Sequence, residues 1–198
     1  MENRIYVEKS TIWKPDSQNP SSSPKLEYVD SLFRRRLSQI SKMTIEVVHA
    51  ICEKGEDLPL VFASFRGEIS RQFKINRGIV EENEVSPAQF SLSTFNAPPA
   101  TASIALNLKS GYVALYCKDF SDALLAARAR VLANGRIFFV FADEKIPDEY
   151  ESASGKIENE AFAFAVLLSS EEKSGAKPID FSRFKTLKEF LQFLEDKI

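Results

Sequence analysis

The apolar residues change period along the chain, and each change marks an element. Ile5 and Val7 alternate with polar neighbours, which predicts a strand within residues 1–13. KPDSQNPSSSPK (14–25) then places three Pro and four Ser in twelve residues, the composition of a loop or flexible linker. From Val29 to Lys54 the period turns helical, with Leu37, Ile40, Thr44, Val47 or Val48, and Ile51 on one face and Gly55 as the stop. LPLVFASF (58–65) reads as a buried strand. Arg66 to Gly78 predicts a helix, and SPAQFSLS (86–93) a turn entering irregular structure. Pro98 and Pro99 suit the first turn of a helix running to about Leu108.

GYVALY (111–116) predicts the next strand. Residues 120–134 form a helix with Asp119 or Ser121 as N-cap and Gly135 just past its end. RIFFVFAD (136–143) is almost continuously apolar, as in a strand covered on both faces. Lys145 to Asn159 is polar and loop-like, and AFAFAVLL (161–168) is another strand. A closing helix carries Phe184, Leu187, Leu191, Leu194 and Ile198 as one stripe, with a capping box at Thr186 and Glu189. Strands alternating with helices predict an α/β fold, a layered mixed sheet with helices packed on it.

Composition adds exclusions. A net charge of -2 gives no electrostatic footprint for nucleic acid. No apolar run approaches a membrane span, and the amino terminus does not read as a signal peptide, so a cytoplasmic protein is expected. Cys52 and Cys117 form no CxxC and have no neighbouring His, which points to no metal site and no disulfide framework. No GxGxxG, P-loop or HExxH is present, and no cofactor is expected. Sixteen Phe against one Trp is a heavy load of rings with no polar handle, suited to a core or an interface.

FRRRLSQISKM (33–43), LVFASFRGEISR (60–71), SPAQFSLSTFNAPPATASIAL (86–106) and FFVFADEKIPDEY (138–150) together resemble the β-ketoacyl synthase-like N-terminal family. That family includes the stand-alone, chain-length-factor-like subunits of bacterial type II polyketide systems that make aryl polyenes. The resemblance covers about residues 29–150 and implies a thiolase-like half-fold. It divides the chain into an N-terminal strand and Pro/Ser-rich linker (1–28), a ketoacyl-synthase N-terminal-like core (29–150), and a C-terminal strand and amphipathic helix completing a single domain (151–198). One departure is visible: the family commonly has Val-His before Asn-Ala, and this chain has Thr94-Phe95.

In condensing enzymes of this kind the nucleophilic cysteine sits between a strand and a helix start, where the helix dipole favours thiolate. Cys117 lies close to that place. Anchoring the helix on Gly135 puts the nucleophile position at Lys118, however, and Tyr116, Lys118 and Asp119 are bulky or charged neighbours. The resemblance also implies a Cys-His-His site whose histidines come from a second half of the synthase. The only histidine in this sequence is His49, inside the first long helix. Cys117 is therefore a weak catalytic candidate, better read as a small buried hydrophobe.

The expected role is a non-catalytic subunit that pairs with a full-length β-ketoacyl synthase as a heterodimer in fatty acid or polyketide biosynthesis. There it shapes the cavity for a growing chain and contacts acyl chains carried on acyl carrier protein. Arg34, Arg35 and Arg36 are carrier-protein candidates, with a solvated helix start as their plainer reading. Phe95, Asn96, Tyr112 and Leu115 are partner-interface candidates, although capping of the following helix is the plainer role for Asn96. The alternative is a small acyltransferase or thioesterase-like enzyme using Cys117.

Overall fold

The run FAFAVLLS builds two cores at once. In the computed structural model, which describes residues 4–150 and 160–196, it forms strand β5 (Phe162–Ser169). Ala163, Ala165 and Leu167 face one side of the sheet, and Phe164, Val166 and Leu168 face the other. Strand β4 (Arg136–Asp143) splits the same way, sending Phe138, Val140 and Ala142 to the first side and Ile137, Phe139 and Phe141 to the second. Both strands are buried almost throughout, as their unbroken apolar character predicts.

The remaining strands are β1 (Ile5–Trp13), β2 (Leu60–Ser64), β3 (Tyr112–Tyr116) and β6 (Lys177–Ile179), and the sheet order is β3-β2-β4-β5-β1-β6. β2 runs parallel to β3 and β4, whereas β5 is antiparallel to β4 and β1, and β6 is antiparallel to β1. A register shift between Val7 and Lys9 leaves Glu8 as an extra residue in β1. The bulge aims its carboxylate at Arg136, which donates from Nε at 2.9 Å and Nη2 at 2.7 Å while Nη1 reaches Glu56 at 2.8 Å.

Small alanines on the first side let helix α2 (Gln39–Ile51) close onto the sheet with α5 (Ala97–Leu106) beside it. The phenyl rings on the second side meet α6 (Phe120–Asn134) and α7 (Leu187–Glu195). Phe190 of α7 is fully buried there, with ring centroids 5.2 Å from Phe164 and 5.3 Å from Phe120. The chain's own C-terminal helix thus covers much of that face.

Several sequence expectations need correction. The helix expected over Val29–Lys54 is two, α1 (Ser31–Arg34) and α2, because Asp30 and Ser38 each cap a separate start by accepting backbone N–H groups. The helix expected over Arg66–Gly78 is α3 (Ile69–Glu82), delayed because Gly67 takes a left-handed bend at φ +59°. The segment read as irregular at 86–93 contains α4 (Pro87–Ser91), with Ser86 as N-cap. Strand β6 was invisible to pattern, being three residues long and containing Pro178. The apolar stripe of α7 is centred on Phe190, which the spacing argument passed over; Ile198 and the loop segment 151–159 lie outside the described residues. Asp119 is the N-cap residue of α6, and the capping box at Thr186 and Glu189 is present as expected.

Candidate functional site

Parallel strands β3, β2 and β4 end together, and sheets of this kind bind ligands beyond those carboxyl ends. Three residues from those ends meet there. Ser64 closes β2, Cys117 follows β3, and Asp143 closes β4. Ser64 Oγ donates to Asp143 Oδ1 at 2.7 Å and accepts from the Gly67 N–H at 2.7 Å. Asp143 also accepts from the Phe65 and Arg66 N–H groups at 3.3 and 3.0 Å. The strand ends and the β2–α3 turn are locked by one buried polar knot.

Two further buried carboxylates extend it. Glu68 accepts from Ser38 Oγ at 2.6 Å, Ser41 Oγ at 2.9 Å and Arg71 Nε at 3.0 Å, tying α3 to the start of α2. Glu144 accepts from the Ser70 N–H at 2.8 Å in the first turn of α3. Burial pushes Asp143 up to about 6 against its hydrogen bonds, and burial pushes Glu144 up to about 7 with the Glu68 charge adding to the rise. Sequence reasoning missed this knot. Its signal was a Ser and an Asp-Glu pair placed directly at the ends of buried strands.

Cys117 is only 2% exposed. Its N–H donates to Ser64 O at 3.1 Å, and its thiol makes a weak contact with Leu115 O at 3.8 Å. Burial pushes the thiol up to about 11, helped by the carboxylates of Asp122 and Asp143. His49 sits on α2, in the helix layer across the sheet, with its ring stacked on Tyr28 at a centroid distance of 3.7 Å. The structure does not bring the two together.

A groove of about 770 Å³ opens beside the knot, walled by Phe65, Phe162, Leu187 and Leu191 with Arg66 and Asp143 at its inner end. A smaller pocket of about 280 Å³ gathers Arg35, Arg36, Arg71 and Lys74. Arg34 turns away from it, donating to the carbonyls of Lys25 and Leu26 at 3.1 Å. The sequence candidates Arg35 and Arg36 therefore join two cations of α3, while Arg34 holds the preceding loop.

At the β3 edge, the candidates divide. Tyr112 is exposed, Leu115 packs toward α6, and Phe95 packs inward against Phe62. Asn96 stands at the N-cap position of α5 but makes no side-chain cap, contrary to its expected role. The most exposed apolar side chains here are Tyr116 and Ile104, at 70% and 68%, which sequence reasoning did not single out. Among the described residues, no helix is long and apolar enough to cross a membrane.

The model of the family described as β-ketoacyl synthase, N-terminal domain, matches residues 8–187. Among solved structures, the chain is similar to one described as a ketosynthase, ApeO, in complex with its chain length factor, ApeC, from Xenorhabdus doucetiae. That match has a TM-score of 0.70 and 21% identity and covers 84% of this chain and 79% of the other. It is also similar to the ishigamide ketosynthase/chain length factor, with a TM-score of 0.59 and 14% identity over 85% of this chain and 56% of that one. A β-ketoacyl synthase from Burkholderia phymatum gives 0.61 and 9% over 84% and 59%. The chain thus spans little more than half the length of the last two. At these identities the likeness is one of fold, the thiolase-like fold of β-ketoacyl synthases. None of the curated proteins matches the sequence.

Proposed function

We propose, for a chain that belongs to the β-ketoacyl synthase N-terminal domain family, that it serves as a non-catalytic, chain-length-factor-like subunit beside a full-length β-ketoacyl synthase. The observation that carries this reading is Cys117. It stands at the strand-to-helix step, yet its thiol is buried, pushed up to about 11 and neighboured by carboxylates. A condensing nucleophile needs thiolate near neutral pH and a base within hydrogen-bond reach. The alternative, an acyltransferase or thioesterase-like enzyme using Cys117, asks for the opposite environment.

In this role the partner supplies the chemistry and this chain supplies shape, since cavity depth is a packing property. The β3 edge supports pairing: among the described residues it has a neighbour on one side only and is flanked by exposed Tyr112, Tyr116 and Ile104. A solved relative of the same fold is described as a complex of just these two kinds of subunit. The Arg35, Arg36, Arg71 and Lys74 pocket supports contact with an acidic acyl carrier protein. Polyketide synthesis of the aryl polyene type, in the cytoplasm, is the setting that the family resemblance favours.

Co-expression with a candidate ketosynthase, followed by co-purification, tests the pairing. Capture is expected for the wild type and for Cys117→Ala, and is expected to vanish for an Ile104→Glu/Tyr116→Glu variant of unchanged melting temperature. A wild-type chain that stays monomeric beside every ketosynthase offered would sink the proposal.

A further inference from the structure

At the opposite edge of the sheet, three arginines from distant parts of the chain line one pocket. Arg4 precedes β1, Arg128 lies on α6, and Arg183 belongs to the short 3-10 turn Phe181–Arg183 after β6. All three border a cavity of about 560 Å³ floored by Ile5, Ile179 and Phe181. Among the described residues, none of the three side chains has an ion pair or side-chain hydrogen bond.

Among the described residues, the one carboxylate lining the pocket, Asp180, is already engaged. Its Oδ1 accepts from the Ser182 N–H at 3.0 Å and from Ser182 Oγ at 2.7 Å, capping the 3-10 turn. The Ser182 bonds hold its carboxyl below the ordinary value, and the charges of Arg183 and Arg128 lower it further, so both guanidinium fields reach the same spot. Three cations against one anion leave a local surplus of two positive charges.

We infer that this pocket is an anion site for a small phosphorylated molecule, one carrying at least two negative charges on adjacent phosphoryl groups. Guanidinium forks match phosphoryl oxygens in a bidentate way and stay charged at any working pH. The cavity has room for more than an isolated phosphate, within the usual volume range for small-molecule sites. The sheet order puts β1 and β6, which contribute Ile5 and Ile179 to the pocket, four and five strand spacings from the β3 edge, roughly 19–24 Å away. The inference does not depend on the ketosynthase partner.

The test uses the full-length chain and inorganic pyrophosphate, read by thermal shift and calorimetry against sodium chloride of equal ionic strength. Wild type is expected to gain stability in a saturable, concentration-dependent way. Read in an Arg35→Ala/Arg36→Ala background, which removes the other basic pocket, the Arg128→Ala/Arg183→Ala change is expected to lose at least tenfold in affinity. Asp180→Asn keeps an oxygen to cap Ser182 while removing the opposing charge, so it is expected to bind several-fold more tightly. Equal binding in the Arg35→Ala/Arg36→Ala background with and without the Arg128/Arg183 change overturns the inference. So does a chain indifferent to pyrophosphate that instead captures an acidic peptide through these arginines.

Discussion

A Cβ on Gly67 would stand 2.6 Å from Cδ2 of Phe95. The ring lies directly over the glycine backbone, which bends there at φ +59°, and its other edges meet Phe62 and Tyr116. Phe95 occupies the position where the family resemblance leads one to expect histidine. In this chain that position is a packing element, and it bolts the β2–α3 turn to the segment leading into α5.

Gly67→Ala is expected to cost about 2–4 kcal/mol, the sum of a left-handed backbone carrying a side chain and a steric overlap. Urea unfolding measures it. In a Phe95→Ala background the same change is expected to cost clearly less, because the overlap is gone and only the backbone strain remains. Equal costs in the two backgrounds would show that the ring is irrelevant.

A thiol pushed up to about 11 is roughly one part in a thousand ionised at pH 8. Native Cys117 is therefore expected to resist iodoacetamide for hours at pH 8, and to react promptly once the chain is unfolded in urea. Mass-spectrometric mapping of the two cysteines follows each separately. Fast native labelling of Cys117 would revive the nucleophile reading.

Glu144 sets a pH dependence whose sign is opposite to that of a surface carboxylate. Its folded value of about 7 lies above the ordinary 4.5, so the fold binds its proton more tightly than the unfolded chain does. That contribution is fully present below about pH 4.5 and is lost as pH rises through about 7, amounting to at most about 3 kcal/mol. Asp143, raised to about 6, acts in the same direction. Glu144→Gln keeps an oxygen for the Ser70 N–H, so it is expected to be more stable than wild type at pH 8 and to flatten the slope between pH 4.5 and 7. Denaturant midpoints across that range decide; an unchanged slope would count against the assignment.

Arg136→Ala is expected to lose about 2–3 kcal/mol, because it removes the cation from the partly buried carboxylate of Glu56 and leaves Glu8 to the more exposed Lys173 at 3.2 Å. Glu8→Gln in the same background should cost little more. Thermal melts of the single and double variants give the coupling between them.

Phe190→Ala is expected to cost about 3–5 kcal/mol and to expose the phenyl face beneath α7. Dye binding at native pH checks the second effect. Leu191→Ala, on the groove side, is expected to cost less than half as much.

Much of this protein was legible in local pattern. The unbroken apolar runs of β4 and β5, the Phe/Ala alternation of FAFAVLLS, Asp119 and Gly135 bracketing α6, and the capping box at Thr186 all act over a few residues, so spacing alone exposes them. Ser38 shows where such reading stops. Its hydroxyl starts a new helix in the middle of a continuous helical period, and nothing in the period records a cap. Tertiary structure alone decided that β1 inserts between β5 and β6, that the bulged Glu8 finds Arg136, and that Ser64 meets Asp143 across 79 residues of sequence. It also decided that Cys117 is sealed rather than presented. The physical reason is common to all of these: burial, charge pairing and pKa depend on what comes to lie across the sheet, and strand order is a property of the whole chain.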